Sequence, residues 1–275
     1  AAYEFVYKDR RFEVQRFGAN LSVANAKSLI SSLRSSVDAI AISSVPNGIR
    51  LGNRTYIHPA SLEIMSMPTS IPLCDGARLK EIAVVNGLSN LLKTKKIRMD
   101  RGLFFPAAIL CTDAVRFLTE RHSNVIGYGD SASLMGIPIE LKPNRLTRNL
   151  AKMMMYYSAT QNLKSLSPMR PGILGRAALE QLAEMTKPYR YIYATSEFLS
   201  TLNEHASFIR GKVLIVPVIR ETTRGELLKY GPEEIITLFP KEFSFLRDIT
   251  YSVLDACLRL IEKKTAPLSV DEWQK

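Results

Sequence analysis

Apolar and polar positions follow two different rhythms along this chain, and the change between them divides it. The stretch YEFVYKDRRFEVQRF (3–17) carries two runs of alternating apolar side chains around Lys8-Asp9-Arg10, which predicts a β-hairpin. Asn20 or Ser22 can cap a helix to about residue 36, with Leu21, Ala24, Leu29, Ile30 and Leu33 on one face. VDAIAIS (37–43) is a short apolar run of the kind found in buried parallel strands. IRLGNRTYIH (49–58) predicts a second hairpin, turning at Gly52-Asn53.

From about Gly102 the rhythm becomes a regular alternation of strand and helix. LFFPAAILC (103–111) reads as a strand weakened by Pro106, Asp113 opens a helix through His122, and NVIGYG (124–129) is the next strand. Helical periodicity returns over 143–157, 173–186, 195–205, 222–230 and 244–262. Between these lie apolar runs at 189–194, 212–219 and 234–239 that read as strands. Such alternation predicts an α/β fold with a doubly wound, Rossmann-like parallel sheet. The chain then divides into a smaller α/β domain over 1–98 and a Rossmann-like domain over 99–275, with the boundary in the basic stretch 93–102. Ligands of such sheets lie outside the carboxyl ends of the strands, which directs attention to loops 111–114, 127–133, 194–197, 219–224 and 239–242.

Composition narrows the function classes. With 46% apolar and 23% charged residues in 275, the chain can bury a large core, and a disordered chain is excluded. No apolar run approaches the roughly 20 residues that span a bilayer. Glu4, Lys8, Asp9, Arg10 and Arg11 break up any signal-peptide pattern, so a cytoplasmic protein without a membrane partner is expected. Because the sequence opens at Ala1 without a methionine, either processing or a longer parent chain is implied. Cys74, Cys111 and Cys257 are far apart and read as reduced thiols. His58, His122 and His205 are isolated, so no zinc spacing exists. Neither a G-x-S-x-G elbow nor a G-x-x-x-x-G-K-[ST] loop occurs.

The formal charge is +11 with a pI near 9.6, which suits a small anionic ligand or cofactor. Cations concentrate at Lys93, Lys95, Lys96 and Arg98 and again at Lys142, Arg145, Arg148 and Lys152. Without interleaved aromatic residues, these patches do not favour a nucleic-acid partner.

The stretch VIGYGDSASLMGIPIEL (125–141) comes nearest to a chemical motif, because Gly127-Tyr128-Gly129-Asp130-Ser131-Ala132 fits G-x-G-x-x-G/A. A strand precedes it, as a dinucleotide fingerprint requires. No long helix is expected to open there, since Gly136 and Pro138 follow closely, and no acid stands about 20 residues on to hold a ribose. What remains is a strand-end loop where Gly127, Gly129 and Ser131 can meet a cofactor and Asp130 can act on a ligand. PLCDGARLKE (72–81) contains an Asp75-Gly76 turn signal. Its Asp75, Arg78 and Lys80 can equally be polar groups in an interdomain cleft. Thr112 and Asp113, Thr195 and Ser196, and Thr222 each stand where a strand passes into a helix. Each is an ordinary helix cap taken singly, and together they form a polar rim at one sheet edge.

The order of these blocks is similar to that of a group of bacterial Rossmann-like proteins often labelled quinate 5-dehydrogenase. The resemblance spans nearly the whole chain. It rests chiefly on Gly129, Asp130, Gly136, Pro138, Ile139 and Leu141, and on Asp75, Gly76, Leu79 and Lys80. It implies a nicotinamide-dependent oxidoreductase (NAD or NADP) acting on a small hydroxy or keto acid. In that reading Lys80 with Asp75 or Asp130 relays the proton, and Arg78 holds a substrate carboxylate. The chain departs from the family pattern at LCTDAVRF, where Ala114 follows Asp113, and at KEFSFLRDITYS after residue 240. These departures favour a second reading, a non-catalytic binding or scaffold subunit of a larger assembly or homo-oligomer. A third, from charge alone, is a binder of phosphorylated metabolites or nucleic acid.

Overall fold

A computed structural model of the chain describes residues 2–43, 49–51, 54–135, 176–199, 202, 207–239, 250–269 and 272. The expected helix over 143–157, the Gly136–Leu141 turn and the second basic patch lie outside these residues.

The chain opens with the hairpin its alternation predicts. Strands β1 (Ala2–Tyr7) and β2 (Arg10–Gln15) pair antiparallel, with Phe5 opposite Phe12. Lys8 and Asp9 make the turn at φ of 47° and 59°, the left-handed geometry that matches strand twist. Helix α1 (Val23–Leu33) begins at Ser22, whose side chain accepts the Asn25 N–H at 3.3 Å. The apolar run 37–43 contributes only a short strand, β3 (Ile40–Ala41). Hairpin strands β4 (Ile49–Leu51) and β5 (Arg54–Tyr56) follow. Helix α2 (Pro59–Met65) is capped by His58, whose Nδ1 accepts the Ala60 N–H. Strand β6 (Leu73–Cys74) then runs parallel to β3.

The long helix α3 (Ala77–Lys93) is absent from the sequence-based expectation. The Asp75-Gly76 turn signal is genuine, but it starts a helix instead of a loop. Leu79, Ile82, Ala83 and Leu88 recur at helical spacing and are buried. Gly87 weakens the pattern. Its missing Cβ lets the helix approach Leu238, which a methyl group would meet at 3.1 Å.

Five parallel strands form the central sheet: β7 (Leu103–Phe105), β8 (Ile126–Tyr128), β9 (Tyr191–Tyr193), β10 (Val213–Val216) and β11 (Glu234–Thr237). Their spatial order is β11-β10-β9-β7-β8. Strand β7 is shorter than the expected 103–111 because Pro106 has no N–H to continue the ladder, and a 3₁₀ turn at Ala108–Leu110 follows. Pro217 ends β10 for the same reason. Strands β7–β10 are buried on both faces and read as unbroken apolar runs, while the edge strand β11 is only partly buried. Phe104, Ile192, Leu214 and Val216 face α6 (Arg176–Thr186), α7 (Ser196–Leu199) and α8 (Glu221–Leu228). Leu103, Phe105, Tyr193 and Ile215 face α3 and α4 (Thr112–His122). The change of face follows from the strand order. The step β7–β8 runs one way and β9–β10–β11 the other, and right-handed crossovers then put their helices on opposite sides.

Helix α9 (Tyr251–Ile261) packs against β3, β6 and α3. Among the described residues no helix is long and apolar enough to cross a membrane.

Candidate functional site

All five strands end at one edge, and the strand order reverses between β7 and β9. In open parallel sheets that reversal leaves a crevice, because the two connecting chains depart toward opposite faces. The groups at this edge are the loop 106–110 after β7, Gly129 and Asp130 after β8, Ala194–Ser196 after β9 and Pro217–Arg220 after β10.

Asp130 opens the short helix α5 (Asp130–Met135). Its carboxylate accepts the Ala108 N–H at 3.0 Å and the Ile109 N–H at 2.9 Å, tying the β7 loop to the β8 loop. Two more bonds fasten the same junction: Ser133 Oγ donates to the Pro106 carbonyl at 2.5 Å, and the Gly129 N–H to the Phe105 carbonyl at 2.8 Å. Burial pushes the Asp130 carboxyl up to about 6, against the pull of those backbone N–H groups. Ser131 is buried in the first turn of α5.

The two glycines of the motif serve packing. A Cβ on Gly127 would stand 2.5 Å from the Tyr189 ring, and one on Gly129 would stand 2.7 Å from Phe104 and 2.9 Å from Leu182. Space is missing there for a methyl group, and aromatic side chains fill it where a pyrophosphate would approach. The helix that opens at Asp130 is described over six residues, with an acid in its first turn.

Thr112 and Asp113 lie in the first turn of α4, whose cap position is Cys111, so neither is the cap that the sequence suggests. Thr195 is the one rim residue that caps as predicted: its Oγ1 accepts the Phe198 N–H at 3.3 Å at the start of α7, with Ser196 beside it. Thr222 is exposed in the first turn of α8, where Arg220 holds the cap position. Thr112, Asp113, Asp130, Ser131, Thr195, Ser196 and Thr222 each follow a strand of this sheet, in the loop or the first helical turn after it. The helices α4, α5 and α8 each begin with an acid there, Asp113, Asp130 and Glu221.

The PLCDGARLKE residues lie at and before the start of α3. Asp75 Oδ1 accepts the Ala77 N–H at 2.9 Å, and Gly76 takes a left-handed φ of 69°. Arg78 pairs with Glu81 at 2.6 Å, and Glu81 also takes Arg116 of α4 at 2.6 Å. Burial opposes ionisation of Glu81, and the two guanidiniums override it, holding its carboxyl below the ordinary value. Lys80 stands one turn into α3 and is partly buried. The proposed relay therefore has its two carboxylates on backbone N–H groups of different elements.

A row of rings across the sheet edge escapes sequence reasoning. Phe105 lies 6.0 Å from the Tyr128 ring and 5.2 Å from that of Tyr193, and Tyr251 meets Phe239 at 5.2 Å. Tyr251 donates its hydroxyl to the Pro217 carbonyl at 3.1 Å, and Tyr128 shares one with Thr119 at 3.0 Å. Burial pushes the phenols of Tyr193 and Tyr251 upward. The neighbouring Cys111, Tyr251 and Asp113 add to the shift at Tyr193. These phenols are protonated donors at neutral pH. The last position of each strand carried the signal, in LFF, IGY and YIY.

Behind α3, a second unanticipated group joins α9 to β6. Arg259 donates to both carboxylate oxygens of Asp255, at 3.0 and 2.7 Å, and to the Thr265 carbonyl at 2.9 Å. The Cys74 thiol donates to Asp255, and burial followed by that carboxylate pushes it up to about 12. Cys257 is likewise pushed up to about 12 by burial. All three cysteines are free and buried, and these two thiols are far from nucleophilic. An acid and an arginine four residues apart in an otherwise apolar helix were the legible sign.

Among the described residues no group of three or more His, Cys, Asp and Glu side chains can hold a metal ion. A recess of about 550 Å³ lies at the other end of the sheet, lined in part by Lys95, Arg98, Asp100 and His122. The first basic patch follows the carboxyl terminus of α3, where cations complement the helix dipole. There Lys96 pairs with Glu234 at 2.8 Å and Arg98 with Asp100 at 2.8 Å.

Comparison with curated proteins and with solved structures returns no match. One family model, Domain of unknown function (DUF8753), matches residues 2–75, the segment that ends where Asp75 hands the chain to α3.

Proposed function

We propose that the chain is a non-catalytic binding or scaffold subunit of the doubly wound, Rossmann-like class, with a smaller α/β unit at its N-terminus. Its ligand crevice is the sheet edge between β7 and β9, and its setting is the cytoplasm. One observation carries this reading: the groups best suited to chemistry are already bonded to other groups of the chain. Asp130 is held by Ala108 and Ile109, Asp75 by Ala77 and Arg78 by Glu81. A general acid or base must reach a substrate proton, and these carboxylates are aimed at backbone N–H groups. Acids in the first turns of α4, α5 and α8 also oppose a pyrophosphate at those helix ends.

The alternative is a nicotinamide-dependent oxidoreductase acting on a small hydroxy or keto acid. The resemblance noted above favours it, as does the cluster of Cys111, Asp113, Tyr193 and Tyr251 at the strand-order reversal. A thermal-shift titration separates the two. A ligand at 100 times its Kd adds about 2.7 kcal/mol of stability. Saturating NAD(H) or NADP(H) leaves the melting temperature unchanged if the first reading holds, and a rise of several degrees overturns it. Phosphorylated metabolites, run alongside, test the reading that rests on charge.

A further inference from the structure

The segment 2–75 has little core of its own. Among its described residues the buried apolar cluster is Ile30, Ile40 and Ile64, with Val23, Ala26, Leu33, Ile42, Met67, Ile71 and Leu73 only partly buried around it, and β3 and β6 pair over two residues each. A two-stranded hairpin is marginal in water unless its apolar face is covered. The inner face of β1, made of Tyr3, Phe5 and Tyr7, finds its cover outside the segment: it packs on Leu79, Ala83, Tyr251, Leu254, Leu258 and Leu268. Most of that surface belongs to α9 and the residues just after it.

Three further contacts run to the same helix. Arg10 donates to the Leu260 carbonyl at 2.9 Å. Cys74 donates to Asp255, which the buried Arg259 holds in a two-point grip. Gly76 lies so close that a Cβ there would stand 2.3 Å from the Ser252 nitrogen. The contacts come from the hairpin, from β6 and from the turn after it, and they converge on one helix.

We infer that residues 2–75 and α9 form an obligate docking pair, in which the N-terminal segment holds its fold only while seated on this helix. The surface it presents fits an amphipathic helix carrying a buried acid–arginine pair four residues apart. Apolar contact supplies the attraction. Burying Asp255 and Arg259 sets the register, because either charge left alone beneath β6 is strongly disfavoured. Gly76 makes the fit close enough that small displacements are not tolerated. The segment therefore opens as a unit, as a cooperative substructure does.

The test is hydrogen exchange on the full chain carrying Asp255→Ala or, from the other side of the seam, Gly76→Ala. The reporters are the amides of Ile40 and Ile42, bonded to Pro72 and Cys74, with Ala194, Val213 and Leu238 as references in the central sheet. In both variants the β1–β2 and β3–β6 amides should exchange together, about tenfold faster or more, while the sheet amides keep their rates. Unchanged protection in residues 2–43 overturns the inference, and so does equal loss of protection in the central sheet.

Discussion

Asp130 shows how one carboxylate can look catalytic and serve structure. It stands at a strand end, largely buried, with its carboxyl raised to about 6, features that also mark functional acids. Its two N–H partners give it a structural task, since they fix the loop after β7. The raised value has a thermodynamic consequence. In the unfolded chain the group titrates near 3.8 and in the folded chain near 6, so the folded state binds the proton more tightly. Its contribution to stability is fully present below pH 3.8 and is lost as pH rises through 6. The loss should be on the order of 2–3 kcal/mol. Denaturant unfolding across pH 4 to 7 checks it: Asp130→Asn should flatten the slope in that window, and a slope that persists assigns it to other groups. Glu81 acts with the opposite sign. Its two arginines lower its carboxyl, so its stabilising part is present above its unfolded value of 4.5 and fades as pH falls.

At the scale of elements, the sequence announces the strands and helices that obey one rhythm and hides those that do not. The hairpin, α1 and the five sheet strands stand out because alternation and apolar runs are local properties. Strands β7 and β10 stop early at Pro106 and Pro217, which is also a local property of the sequence. Helix α3 was obscured by a turn signal at its start and by Gly87 in its middle, although its apolar spacing was present. Helix ends depend on partners that no local pattern reveals. The end of α6 is held by Lys212, whose Nζ donates to the carbonyls of Thr186, Lys187 and Tyr189 at 2.9, 3.2 and 2.7 Å. Three terminal acceptors thus share one cation supplied from the start of β10. Lys212→Met keeps most of the apolar stem and removes the donor. It should cost about 1–2 kcal/mol in denaturant unfolding, and a cost near zero would show that water replaces the ammonium without loss.

At the scale of the whole molecule, sheet composition was legible and sheet order was not. Alternating strands and helices announce parallel pairing, yet nothing local states that β9 pairs with β7 and that β8 takes the edge. The location of the crevice depends on that order. The strand-end residues could be named from the sequence, while the partners that hold them could not be read from it. Gly127 and Gly129 match a phosphate loop letter by letter and are small because Tyr189, Phe104 and Leu182 need the space. The seam between the N-terminal segment and α9 is the least legible feature, because it joins residues as far apart as Arg10 and Leu260, 250 positions along the chain. That separation matters during synthesis. A ribosome adding about 5–20 residues per second releases residues 2–75 on the order of ten seconds or more before α9 emerges. For that interval the apolar face of the first hairpin lacks most of its cover and is open to chaperones or misassembly. Nascent chains stalled before residue 250 should accordingly be cut by protease within residues 2–75, and protection of that segment in such chains would show that it folds without waiting.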